Sequence, residues 1–265
     1  MSTPNRSKPA RRGRVKPGRR GLLIAVTIAV VLIGLGYVAV RERRDPRFIV
    51  SFGDVSGIAR TSRAQVIQAT DLATNQNAWL IDRRATSTRI ERLPWVLRAR
   101  LSVHWPNKLN VTIKERKPVA FVVLGAANGE EPLPSYALID DMQRVLQLTD
   151  RRSADVQGLA LLIVTPPPAG DVQPGSSLSN RSVAQALQAL ARLRALGVHV
   201  SEIAIAPSTG ISALADRNLR VLFGEEADLA KKAALFQAIV AKISEPARIA
   251  YIDVRSVHTP TVLYW

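Results

Sequence analysis

Apolar and polar residues alternate in three different ways along this chain. The first is no alternation at all: Gly21 to Val40 (GLLIAVTIAVVLIGLGYVAV) is an unbroken run without a charge. Twenty residues at ~1.5 Å each make ~30 Å of helix, the thickness of a bilayer's hydrocarbon, so the run predicts one transmembrane helix. The second pattern has period two. Ala99, Leu101, Val103 and Trp105 alternate with Arg98, Arg100, Ser102 and His104; after Pro106 and Asn107, Leu109, Val111 and Ile113 alternate with Asn110, Thr112 and Lys114. This predicts a hairpin with one dry face, to which Trp95 and Trp105 add core bulk. The third has helical spacing: Val183, Ala186, Leu187, Leu190 and Leu193 share one face before Gly197, and Leu229, Ala233, Phe236, Ile239, Val240 and Ile243 share another before Pro246.

Shorter signals complete the outline. Phe48–Phe52 reads as a strand broken by Gly53 and Gly57, and a helix follows from a Thr61 or Ser62 cap through Ala69, with Ala64, Ile67 and Val66 inward. A second helix is expected between Asp82 and Arg92, ended by Pro94. Strand, helix, helix, strand, strand within ~75 residues is a compact α+β module, two helices on a three-stranded sheet. Beyond it, Phe121 to Ser135 reads as a loop. Tyr136–Asp140 and Val145–Leu148 form a hairpin, Leu159–Val164 is a buried strand, and Pro166 to Ser177 is a rigid connection. Strands at 203–205, 211–214 and 219–223 lie between the two long helices, and Ile249–Val254 and Thr261–Tyr264 close the chain.

Charge supplies a direction. The formal charge is +16, and Arg6, Lys8, Arg11, Arg12, Arg14, Lys16, Arg19 and Arg20 place half of it before the apolar run with no acid among them. Arg41, Arg43, Arg44 and Arg47 follow the run in the company of Glu42 and Asp45. The positive-inside rule puts the tail in the cytoplasm and the bulk of the chain outside it. Prolines and glycines among the arginines predict a disordered tail that favours anionic lipid head groups; without an aromatic or folded motif the charge does not indicate a nucleic-acid partner. A cleaved signal peptide is the competing reading, but its apolar region is usually ~7–15 residues long, and here Val38-Ala39-Val40 runs straight into Arg41.

Four fragments carry a resemblance. Leu93-Pro94-Trp95-Val96, Ala99-Arg100-Leu101, Trp105-Pro106-Asn107-Lys108-Leu109 and Glu115-Arg116-Lys117-Pro118-Val119-Ala120 stand in the order and register of the bacterial FtsQ family, also called DivIB. VLFGEEADLAKKAALFQAIV followed by IAYIDVRS resembles that family's C-terminal half. The resemblance implies an α+β chain in four parts: a basic cytoplasmic tail (1–20), a transmembrane helix (21–40), a POTRA domain (41–120) and a curved mixed β domain with helices (121–265). Where the family usually has glycine in the first hairpin turn of that last domain, this chain has Asp141-Met142-Gln143-Arg144.

Little in the sequence suggests catalysis. Cysteine is absent, His104, His199 and His258 are mutually distant in sequence, and no nucleophile elbow, phosphate loop or zinc motif occurs. Asp140-Asp141 and Glu225-Glu226 read as turn and helix-start charges. The expectation is a binding protein without cofactor or metal. The resemblance implies a divisome scaffold at the septum, in the inner membrane, that binds FtsB/FtsL-type bitopic partners, with other division proteins through the POTRA domain, and so links them to septal peptidoglycan synthesis. A membrane-anchored POTRA-type chaperone for secretion is the alternative. The family's docking site is a terminal edge strand, which here implicates Arg255, Ser256, Val262, Tyr264 and Trp265; the plainer reading is that Val262 and Tyr264 only finish the core.

Overall fold

The computed structural model describes residues 19–43, 45–125, 135–150, 158–244 and 248–265. The expectations for the basic tail before Arg19 lie outside them. The described residues divide into two compact units: one holds those up to Ser51 together with Ala73–Ile81 and Val103–Leu109, the other the remainder.

In the first unit α1 (Arg19–Arg43) carries the apolar run, its described side chains from Leu23 to Tyr37 all exposed. Among the described residues no helix is long and apolar enough to cross a membrane. After α1, Asp45 caps a 3-10 turn at Pro46–Phe48 by accepting from Arg47 N. Phe48 therefore belongs to that turn and not to the first strand. Proline at the head of the turn sets its φ and has no N–H to donate, which favours the turn over a ladder position.

The three-stranded sheet runs β1 (Ser51–Ser56), β3 (Lys108–Glu115), β2 (Val96–His104), in that spatial order. Above it lie α2 (Arg63–Thr70) and α3 (Arg83–Ile90), packed on each other. Ser62 opens α2 with a capping box: its hydroxyl accepts from Gln65 N while the Gln65 side chain accepts from Ser62 N. Asp82 caps α3 in the simpler way, accepting from Ala85 N. Val66 and Ile90 of the helices and Val55, Val111 and Ile113 of the sheet are buried, as period two on β3 requires. Ala64 is exposed, and Val66 takes the inward place. Gly57 has φ +78°, and a Cβ there would fall 2.0 Å from the Ile113 carbonyl oxygen, so β1 can leave the sheet this closely only through glycine. On β2 Leu101 and Val103 are only half-buried, and Trp105 is exposed. Its dry face fades toward the hairpin tip.

Among the described residues the C-terminal sheet has nine strands, in the spatial order β12 (Thr261–Tyr264), β11 (Ile249–Asp253), β10 (Leu219–Gly224), β9 (Gly210–Ala215), β8 (Val200–Ala206), β7 (Ala160–Val164), β4 (Ala120–Leu124), β5 (Ser135–Ile139), β6 (Val145–Thr149). β4 (Ala120–Leu124), expected as loop, instead lies inside this sheet, antiparallel to β5 (Ser135–Ile139) and parallel to β7 (Ala160–Val164). A strand buried on both faces shows no alternation, and Phe121 to Leu124 runs directly into the polar loop that follows. The sheet is mixed: β7 also pairs parallel with β8 (Val200–Ala206), and β10 (Leu219–Gly224) with β11 (Ile249–Asp253), whereas β9 (Gly210–Ala215) is antiparallel to its neighbours.

Helices α4 (Arg181–Ala195) and α5 (Leu229–Lys242) share one core with the sheet, in which Leu190, Leu193 and Phe236 meet Val122, Ile139, Ile203 and Phe223. Both long helices thus cover the same face. On the other face Phe121, Leu138 and Leu161 form a smaller cluster against which Trp95 packs.

Candidate partner-binding edge

Thr261-Val262-Leu263-Tyr264 forms β12 because β-branched and aromatic residues suit a pleated surface and Pro260 is tolerated just before its first residue. β12 pairs only with β11, antiparallel, with Ile252 opposite Val262 and Asp253 opposite Thr261. Trp265 N donates to Arg248 O at 2.9 Å, which fixes the phase of the ladder. In an antiparallel strand the inward groups belong to alternate residues, so Leu263 faces β11 and the backbone groups of Val262 and Tyr264 point away from the sheet. Among the described residues no strand lies beyond β12.

The opposite end of the sheet is different. Along β6 (Val145–Thr149) the connection before α4 folds back, Val145 N donating to Ser176 O at 2.9 Å and Gly175 N to Val145 O at 2.7 Å. One edge is blunted by a loop in the usual way, and the other is left as a template.

Side chains give that template a groove. Val262, Tyr264 and Trp265 line a depression of about 680 Å³ with Ile239, Ile243, Lys242 and Arg248. Val262 packs on the main core, whereas Tyr264 is 60% and Trp265 89% exposed. An apolar floor under two cations, next to unpaired strand groups, suits an extended segment with apolar and acidic side chains.

Arg255 and Ser256 are not gathered into this groove. They precede β12 and line a second depression, of about 630 Å³, with Gly210, Gly224 and Lys232. Gly224 has φ +68°, and the Arg255 side chain crosses so near that a Cβ there would meet its Cγ at 2.9 Å. The guanidinium is turned onto Asp253, with Nη2 to Oδ2 at 2.6 Å and Nε to both oxygens. These side-chain bonds foremost, with the Arg255 N–H adding to them against the opposing effect of burial, hold the Asp253 carboxyl below its ordinary range, and they raise Arg255. The sequence reading did not include Ile239, Ile243, Lys242 or Arg248; the helical face of the first two was its only available sign.

Glu115 and Arg116, at the end of β3 and just after it, have specific partners. Glu115 accepts from Arg60 N at 3.0 Å and Thr61 N at 2.7 Å, fastening the approach to α2. Arg116 reaches across to Asp140 in the turn between β5 and β6. Among the described residues no group of His, Cys, Asp or Glu is placed to hold a metal.

A three-stranded module with two helices, followed by a nine-stranded mixed sheet that ends on an open strand, is a two-module architecture of the POTRA-containing class. The description "POTRA domain, FtsQ-type" matches residues 54–116, and "Cell division protein FtsQ/DivIB, C-terminal" matches 132–255. The cell division protein FtsQ of Mycobacterium tuberculosis is 30% identical over 268 aligned positions, which cover 99% of this chain and 74% of that one. FtsQ of Myxococcus fulvus is 33% identical over 122, covering 44% of this chain and 43% of its own length, so there the match spans less than half of the relative. The chain belongs to the FtsQ/DivIB family of cell division proteins. The C-terminal match stops at residue 255, short of β12.

Proposed function

We propose that this chain is a membrane-anchored scaffold of the divisome, and that β12 receives a strand from an FtsB/FtsL-type partner, tying that pair to septal peptidoglycan synthesis. The observation that carries the reading is the open edge of β12, with its outward Val262 and Tyr264 backbone beside an apolar, cation-rimmed groove. Backbone pairing supplies affinity there, and alternate side chains supply selectivity. Tyr264 and Trp265 are the anchors, residue types that dominate binding energy at interfaces. Arg255 and Ser256 flank the docked segment and shape the approach to the strand.

The anchor is Gly21–Val40, with the basic tail in the cytoplasm and residues after 41 outside. Of the two hydroxyls within the described run of α1, that of Thr27 donates to the Leu23 carbonyl at 3.0 Å, the bond that lets threonine sit in hydrocarbon, and that of Tyr37 lies toward the outer end of the run. The POTRA domain (41–120) serves septal targeting and contacts with other division proteins, and the β domain (121–265) presents the edge.

Deleting Thr261–Trp265 from the full chain tests this. The variant is expected to remain folded and membrane-bound but to lose capture of the FtsB/FtsL-type pair. Retained capture, or global unfolding, would refute the docking role of β12.

A further inference from the structure

The first unit carries an exposed aromatic cluster, of which Trp105 was expected in the core of the hairpin. Trp79 is 63% and Trp105 51% exposed, their rings 4.4 Å apart between centroids, and Phe48 meets Trp79 edge-on at 6.0 Å. Leu80 beside them is half exposed. Two large indoles left in water at one spot require a reason, because a contiguous exposed apolar patch usually marks a binding surface.

Three segments build the patch, and backbone bonds fasten all three together. Val50 N donates to Gln76 O at 2.9 Å, Ser51 N donates to Asn107 O at 3.0 Å, and Ile49 bridges to Asn77. The buried Asn77 accepts from Trp79 N at 2.8 Å, which sets the short turn that presents the indole. The patch is therefore rigidly joined to the segment that leaves α1. Phe48 lies five residues after Arg43, the last residue of α1, and five residues reach ~17 Å at most. The same compact unit contains α1 and both aromatic loops.

Charge agrees with position. Residues 73–81 and 103–109 contain no Asp or Glu, Lys108 is exposed in the second of these segments, and Asp71 and Asp82 stand outside the first. The nearest carboxylate on the exit segment, Asp45, is already paired with Arg47 at 2.8 Å. Tryptophan is the residue type that settles at the bilayer's head-group level, with an apolar ring and a polar N–H, and the nearby Lys108 suits anionic lipid.

We propose that Trp79, Trp105 and Phe48 form a second membrane contact, lying in the head-group layer of the outer leaflet beside the exit of α1. The contact rests on the membrane-anchor reading and adds to it: the POTRA tip is held down on the lipid surface instead of swinging on the short linker. The partner is a lipid surface and not a further protein segment, because the tether confines the patch to the bilayer's edge.

The full chain, reconstituted in vesicles of phosphatidylethanolamine and phosphatidylglycerol, tests both readings separately. Flotation of the vesicles after an alkaline wash reports the anchor. Replacing part of the lipid with phospholipid brominated near the carbonyl end of its acyl chains reports the patch. With two of the four tryptophans within reach, wild type is expected to lose roughly a third or more of its indole emission. The loss should vanish in the W79F/W105F variant and persist in W265F. Flotation without quenching of wild type overturns the patch contact and leaves the anchor standing. Quenching that survives in W79F/W105F also overturns it. Blue-shifted emission without bromine quenching would mean that a protein surface covers the indoles, again against the proposal. Failure to float removes the anchor and this inference together.

Discussion

Arg116 donates from Nη1 to Asp140 Oδ2 at 2.6 Å, with the Arg116 side chain 11% and the Asp140 side chain 2% exposed. The pair joins the last residue of the FtsQ-type POTRA match to the first hairpin turn of the C-terminal sheet. Its surroundings are satisfied: Arg116 Nε donates to Val96 O, and Asp140 Oδ1 accepts from Met142 N and Arg144 N. From that turn Arg144 donates to Arg92 O at 2.8 Å, and Arg116 N donates to Trp95 O.

Removing one member of such a pair leaves the other buried and unpaired. Asp140→Ala is expected to cost ~3–5 kcal/mol, and Arg116→Ala a similar amount. A double-mutant cycle on thermal or denaturant unfolding of the purified chain should show the double variant well short of the sum of the singles. Additive losses would mean that the two residues act independently.

Glu115 gives a pH dependence of known sign. Burial by itself raises its carboxyl, but the N–H groups of Thr61, Ala59 and Arg60 outweigh burial and hold it below the ordinary glutamate range. A carboxyl lowered on folding contributes stability that is complete above its unfolded pKa and is lost as pH falls through the folded one. Wild type should therefore lose stability from about pH 4.5 downward. Glu115→Gln should be weaker at pH 7, by ~1 kcal/mol, and flatter across the acid range. Parallel acid profiles for the two proteins would contradict the assignment.

The register of β3 is tested by placing charge on either face. Val111 is 1% exposed and Lys114 is exposed. Val111→Lys is expected to destabilise by several kcal/mol, through an unpaired buried ammonium, and Lys114→Gln by less than ~0.5 kcal/mol. Equal shifts in unfolding midpoint would refute the placement of the dry face.

Helices α4 and α5 were legible because both have a single apolar stripe wide enough to declare its period: Val183, Ala186, Leu190 and Leu193 are all buried. β4 was not, since a strand with both faces covered carries no alternation. Trp105 sat in phase with Ala99, but phase does not tell how far the covering helices extend. The turn at Asp141–Arg144 lacks glycine because Gln143 itself takes φ 61°, while the Asp140 carboxylate supplies the local bonds that make the turn. In the candidate site β12 was readable from its four residues. The groove was not, since Ile239, Lys242 and Ile243 reach it through the packing of α5 and its end against the sheet, and Arg248 through the pairing of its backbone with Trp265.

The phase of β12 makes the docking proposal testable at single backbone atoms. If Leu263 points to β11 and Tyr264 away from it, proline at the two positions must act differently, because proline removes one N–H and little else at an edge. Leu263→Pro breaks a ladder bond within the chain and is expected to lower the unfolding midpoint, with partner affinity falling only as the strand loosens. Tyr264→Pro removes an N–H that only a docked strand would use, so it should leave unfolding near wild type and weaken capture of an FtsB-type segment roughly tenfold, or ~1.4 kcal/mol. Tyr264→Ala separates the two contributions of that residue, since it keeps the N–H and deletes the ring over the groove. An isothermal titration of the full chain with the partner segment, alongside thermal unfolding, measures all three. If both prolines destabilise equally and neither affects binding beyond that, the segment docks elsewhere and β12 is only the last strand of the core.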